Sequence, residues 1–229
     1  MKRKLLPFFA ALMASTVSQA RNPEPLRVSS RPDAPLEVTR RVVLVHGFLE
    51  TGSAFKLMRK RLQAKGCECL VVKLKPNDGR GGLTKIAAGL QRDIDAAYGP
   101  KEPITVIGFS MGGIVSREYL QNLGGAKRCE KFFTISSPHH GTLAAWLYPS
   151  QGVEEMRPGS PFLQRLAATE SNLGDMPVVS YRTPFDLIIV PANSSVWDRA
   201  ENIRHLALMH PFMVTSHIVL SDIERRLLE

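Results

Sequence analysis

The strand-like run Ile104–Ile107 leads straight into Gly108-Phe109-Ser110-Met111-Gly112-Gly113, and this junction constrains the chain more than any other feature of it. The run reads as a buried strand and residues 113–123 as a helix, so the pattern G-x-S-x-G fills a turn with no loop to spare. Only small residues can flank a serine in so sharp a turn, and Gly108, Gly112 and Gly113 meet that demand. The hydroxyl is held clear of its neighbours at a helix N-terminus, where negative charge is favoured. The plain alternative is a glycine-rich connection with an incidental serine.

The same alternation of strand and helix runs through the chain. Arg41–Val45 carries consecutive apolar residues before His46-Gly47, as a central strand covered on both faces does. Phe55, Met58 and Leu62 recur at helical spacing, with Ser53 as the expected N-cap and Gly66 past the end. Residues 69–74 read as a second strand. Leu83, Ile86, Ala87, Leu90, Ile94 and Ala97 form one apolar helical face ending near Gly99-Pro100. Further strands are expected at residues 132–135, 178–181 and 203–209, with a closing helix from about Pro211 to Leu228. The fold class is therefore α/β, with a mostly parallel central sheet and helices on both faces. Sites in such folds lie at the carboxyl ends of the strands. Here those ends are His46-Gly47-Phe48, Ser110-Met111-Gly112, residues 137–141, residues 183–186, and His210.

Composition bounds the reading further. With 229 residues, 44 % apolar and 22 % charged, the chain is globular in character, which excludes disordered, collagen-like and coiled-coil classes and suits one domain. Lys2, Arg3 and Lys4 precede the apolar run Leu5–Ala14, and Ser18-Gln19-Ala20 offers small residues for cleavage. Residues 1–20 are thus expected to be a secretory signal, 21–39 an irregular arm and 40–229 the domain, in a secreted or periplasmic protein. No cysteine stands near residue 20, which argues against a lipid anchor; Cys67, Cys69 and Cys129 are an odd set. Cys67 and Cys69 read as small buried side chains rather than half of a metal site. The formal charge is +9, and Lys56, Arg59, Lys60, Arg61 and Lys65 gather on one helix, but without the aromatic interleaving of a nucleic-acid surface. Asp78-Gly79-Arg80-Gly81-Gly82 reads as a flexible connection with a solvated Arg80.

A serine hydroxyl needs a base to take its proton, and the base needs a carboxylate to fix its tautomer. In the strand–turn–helix arrangement the chain order is serine, acid, histidine. His205, His210 and His217 remain as bases, and His210, beyond the last strand and before Pro211, is preferred over the other two. Asp186, just past a strand end, is preferred as the acid over Asp175 and Asp198. Two backbone N–H groups would stabilise an oxyanion: Met111, after the serine, and Phe48, in the first strand's loop.

The HG-F, GFSMGG and SSPHHGT segments, followed by R-T-P-F-D and a late histidine, resemble the α/β-hydrolase family, specifically its small bacterial triacylglycerol lipases and esterases. The resemblance covers about residues 40–229. It implies Ser110, Asp186 and His210 as a catalytic triad and Phe48 and Met111 as oxyanion donors. It also implies cleavage of carboxylic esters with hydrophobic acyl chains, without cofactor or metal, and transient association with a membrane or lipid interface. Residues 142–176, rich in large apolar side chains, stand where larger members carry a lid and are expected to form a short cap; a calcium-binding loop is not evident. His139 and His140 are expected to shape the site. The alternatives are acyl transfer or thioester hydrolysis by the same groups, or a non-catalytic binding protein on the scaffold.

Overall fold

The computed structural model describes residues 40–229; the expected signal and arm lie outside these residues. Six strands form one sheet: β1 Arg41–Val45, β2 Glu68–Val72, β3 Ile104–Phe109, β4 Cys129–Ile135, β5 Val178–Arg182 and β6 Glu201–Arg204. Their spatial order is β2-β1-β3-β4-β5-β6, and all five pairings are parallel. The helices are α1 Lys56–Gln63, α2 Leu83–Tyr98, α3 Met111–Asn122, α4 Gln151–Glu154, α5 Pro161–Ala168 and α6 His217–Leu228, joined by short 3-10 turns.

The apolar stretches of the central strands follow from burial on both faces. Val43, Val45, Val106 and Phe132 point into a layer filled by Leu83, Ile86 and Leu90 of α2 and Ile114 and Val115 of α3. Their neighbours Val42, Leu44, Ile107 and Phe133 point the other way, onto Met58 and Leu62 of α1 and Leu220, Ile223 and Leu227 of α6. Side chains alternate across a strand, so a strand covered by helices on both sides is apolar at most positions on both faces.

Four expected boundaries change. Ser53 does not cap a helix: Gly52, at φ 84°, opens a 3-10 turn over Ser53–Phe55, and α1 starts at Lys56. β2 ends at Val72 because its partner ends at Val45, and the Leu74 N–H is taken by Nε2 of His46 at 3.0 Å. β6 stops at Arg204, paired with Arg182, the last residue of β5, so Leu206 and Leu208 run on as exposed loop. The expected closing helix splits, with Pro211 in a 3-10 turn over His210–Met213 and His217 opening α6.

The segment 142–176 divides into two parts. Met156, Phe162, Leu163 and Leu166 are buried in the α2–α3 layer, whereas Leu143, Trp146 and Leu147 are exposed. The three cysteines are free; burial pushes Cys69 and Cys129 up to about 12, which leaves them as unreactive thiols.

Candidate active site

Ser110 sits between β3 and α3 at φ 55°, ψ −126°, a conformation that non-glycine residues seldom adopt. Its N–H donates to the Ile135 carbonyl at 2.9 Å, and its own carbonyl accepts the Gly113 N–H at 3.0 Å. The flanking glycines are required by close approach. A Cβ on Gly112 would stand 2.1 Å from the Val45 carbonyl oxygen, and one on Gly113 would stand 2.0 Å from Oγ of Ser137. Helix α3 thus packs directly on the ends of β1 and β4.

His210 and Asp186 are brought together, Nδ1 of the imidazole lying 2.7 Å from Oδ2 of the carboxylate. The other carboxylate oxygen, Oδ1, accepts the N–H groups of Ile188 at 2.9 Å and Ile189 at 2.8 Å. An Asx-type turn and a histidine contact therefore coexist on one side chain. Burial alone would raise the Asp186 carboxyl, but the hydrogen bond and charge of His210 and the two N–H groups hold it below the usual carboxylate range. Oγ1 of Thr183 donates to the Ala207 carbonyl at 2.5 Å and ties the loop of Asp186 to the loop leading to His210. The imidazole lies beside the ring of Phe109, the residue before Ser110, with centroids 4.8 Å apart. Among the described residues its Nε2 is buried and has no hydrogen-bond partner, so a hydrogen bond to Ser110 is not formed. Catalytic hydrogen bonds are often loose until substrate is bound.

The competing residues are engaged elsewhere. Nε2 of His205 meets Oγ of Ser216 at 2.8 Å, and Nδ1 of His217 accepts from Arg61 at 3.2 Å. Asp175 and Asp198 are exposed.

The loop after β1 lies against the serine. A Cβ on Gly47 would stand 3.0 Å from Cβ of Ser110. Three side chains pin this loop. His46 accepts the Leu74 N–H at Nε2, so Nδ1 carries the proton and donates to the Gly47 carbonyl at 2.9 Å. Burial lowers the pKa of this imidazole and keeps it neutral. Oε2 of Glu50 accepts the Gly47 N–H at 3.1 Å. Asn77 donates its side-chain amide to the Glu50 carbonyl, and its backbone carbonyl accepts the Leu49 N–H, both at 2.9 Å. The Phe48 N–H is unpaired among the described residues, as is that of Met111 at the start of α3, where an intrahelical acceptor is lacking. The Phe48 ring meets Tyr148 edge-on at 5.0 Å and joins this loop to the exposed half of segment 142–176. Neither Glu50 nor Asn77 is part of a recognisable pattern in the sequence; their place at the site comes from the fold.

His139 is buried. Its ring stacks on Trp197 at 4.6 Å, Nε2 meets Oγ1 of Thr134 at 3.1 Å, and burial beside Arg117 holds its pKa well below the ordinary value. Arg117 in turn reaches Glu170 at 2.7 Å and lies over the Trp197 ring at 4.1 Å. This network clamps α3 to the segment after α5. His140 is exposed. The glycine-rich loop at 78–82, expected to be free, is docked: the Asp78 and Gly79 carbonyls accept from Ser150 Oγ and the Gly152 N–H, while Arg80 stays exposed and pairs with Asp78. Among the described residues, no group of three or more His, Cys, Asp or Glu side chains could hold a metal ion.

Residues 41–172, more than half of the chain, match the family model described as palmitoyl protein thioesterase. The fold is similar to that of the mature form of Bacillus licheniformis lipase BlEst2, at 16 % identity and a TM-score of 0.71 over 86 % of this chain and 96 % of that one. It is also similar to Aspergillus fumigatus lipase B, at 15 % identity and a TM-score of 0.73 over 91 % of this chain and 63 % of that one. A pyrethroid hydrolase from Sphingobium faniae aligns at 13 % identity and a TM-score of 0.57, covering 83 % and 98 %. These likenesses bear out the α/β-hydrolase architecture. No curated protein matches the chain.

Proposed function

The chain belongs to the palmitoyl protein thioesterase family, and from that premise we propose that it is a serine hydrolase cleaving acyl esters or thioesters with hydrophobic acyl chains. The observation that carries the reading is the buried, partnerless Nε2 of His210, held by Asp186 beside the Ser110 turn. In this reading Ser110 Oγ attacks the acyl carbonyl and passes its proton to Nε2. Asp186 keeps the proton of the resting imidazole on Nδ1 and stabilises the imidazolium that forms. The Phe48 and Met111 N–H groups receive the oxyanion. Collapse of the tetrahedral adduct transfers the proton to the leaving alcohol or thiol, and water, activated by the same histidine, releases the acid from Ser110.

The rim of the site supports a hydrophobic acyl group. Leu143, Trp146, Phe185, Leu187, Leu206 and Leu208 are exposed on loops following β4, β5 and β6. Asp186, itself buried, is the one Asp, Glu, Lys or Arg residue in 136–153, 183–197 and 205–216. Such a surface can meet an acyl phase without desolvating charge, and supports transient docking at a lipid interface. Export through residues 1–20 belongs to the same proposal and would bring the enzyme to envelope or extracellular lipid.

The family match favours a thiol leaving group, and the lipase-like fold neighbours favour an alcohol. A p-nitrophenyl ester series from acetyl to palmitoyl, with and without an emulsion, set against palmitoyl thioesters, tests the proposal. Activity rising with chain length is the expected result, and the ester-to-thioester ratio assigns the leaving group. A preference confined to acetyl and butyryl substrates would overturn the hydrophobic-acyl reading.

A further inference from the structure

We infer that Glu50 is a positioning residue, its carboxylate clasping the Gly47–Glu50 turn so that the Phe48 N–H faces the carbonyl oxygen of the acyl group attacked by Ser110. The inference rests on the hydrolase reading above and adds to it a residue outside the triad and its donors.

The turn is closed from both sides. The Gly47 N–H donates to Oε2 of Glu50 at 3.1 Å, and the Glu50 N–H donates back to the Gly47 carbonyl at 3.4 Å. Between them lie Phe48, with its unpaired N–H, and Leu49, at φ 57° in the left-handed region that a leucine seldom occupies. A turn holding such a residue persists only where its surroundings over-determine it. Here they do so through Glu50 on one side and Asn77 on the other. Gly47 is buried and a Cβ there would meet both Ser110 Cβ, at 3.0 Å, and Oε2 of Glu50, at 3.5 Å. Carboxylate and nucleophile thus flank the same glycine. Burial pushes the Glu50 carboxyl up, opposed by the Gly47 N–H and by the charge of His210, which places the group within electrostatic reach of the base.

An oxyanion donor acts only if it is aimed before the charge develops. Glu50 carries out that aiming through an accepted hydrogen bond, so an isosteric acceptor should replace it and an isosteric apolar group should not. Glu50→Met keeps the volume and loses the acceptor; Glu50→Gln keeps an amide oxygen for the Gly47 N–H. The expected result for Glu50→Met is a loss of about 100-fold in kcat, the size of a misaimed donor, with KM within threefold. Its affinity for a phenylboronic acid, whose tetrahedral adduct fills the oxyanion position, should weaken in parallel. Glu50→Gln should stay within about fivefold of wild type on both measures. Glu50→Met at wild-type kcat, or Glu50→Gln falling as far as Glu50→Met with an unchanged melting temperature, overturns the inference. If Glu50→Met does not fold, Glu50→Gln decides alone, a loss beyond about 30-fold overturning it and near-wild-type turnover supporting it. A wild type that fails to react with a fluorophosphonate defeats the hydrolase reading instead, which keeps the two failures apart.

Discussion

Replacing Asp186 by asparagine should abolish turnover while leaving the fold in place, and the structure shows why the amide cannot adapt. Oδ1 of Asp186 accepts two backbone N–H groups, from Ile188 and Ile189, while Oδ2 faces Nδ1 of His210 at 2.7 Å. The asparagine oxygen must take the two N–H donors, because its NH2 there would set donors against donors. That leaves the NH2 pointing at Nδ1 of His210. The imidazole then accepts at Nδ1 and carries its proton on Nε2, the atom that receives the Ser110 proton in the proposed mechanism. A wrong tautomer of this kind lowers kcat about 10,000-fold, or about 5.4 kcal/mol of barrier. The stability loss should be smaller, about 1.5–3 kcal/mol for a hydrogen bond to a charged group. Both side chains are almost fully buried, so solvent screens the pair little. Its sign with pH is fixed: the native Asp186 carboxyl lies below its usual value, so its contribution is complete above about pH 4 and is lost as pH falls through the lower native value. Steady-state hydrolysis of p-nitrophenyl butyrate and urea titrations at pH 7, 4 and 3 measure both effects. Asp186→Asn retaining more than about 1 % of wild-type kcat, or a stability gap that widens on acidification, would refute the reasoning.

Two further outcomes follow from local geometry. Gly112→Ala drives a methyl group into the Val45 and His46 carbonyl oxygens, at 2.1 and 2.5 Å, which backbone cannot easily relieve; it should lose about 3 kcal/mol in urea titration or fail to fold. Gly89→Ala, on α2 with only the flexible Arg92 guanidinium nearby, is the control and should be neutral or stabilising by up to about 1 kcal/mol. His139 is held neutral in the native state, whereas in the unfolded chain it takes up a proton near pH 6.5. Its contribution is therefore complete above that pH and lost below it, at up to about 1.4 kcal/mol per pH unit. His139→Gln should flatten the fall in urea midpoint between pH 6.5 and 5; an unchanged slope would mean that His139 is not the group responsible.

The strands that form the middle of the sheet were legible because burial on both faces leaves a mark: β1 carries four consecutive apolar residues and β3 is apolar or small at every position but Thr105. The Ser110 turn was legible for a steric reason, since Gly112 and Gly113 abut neighbouring atoms where a Cβ has no place. The edge was not. Leu206 and Leu208 look like a continuation of β6, but the ladder runs out at Arg182–Arg204, and apolar residues facing solvent are indistinguishable in sequence from residues facing a core. The segment 142–176 shows the same ambiguity, its apolar residues divided between core and surface. The place of Glu50 is not legible in the sequence because a lone glutamate in a loop carries no periodicity, and only the folded turn reveals its partner.

The claim on which all of this depends is that Ser110 is an activated nucleophile, and reaction with a fluorophosphonate followed by intact-protein mass spectrometry tests it most directly. Wild-type protein should gain one adduct, mapped to the peptide containing Ser110, and Ser110→Ala should gain none. An unlabelled wild type, or a Ser110→Ala variant labelled to the same extent, would contradict the account.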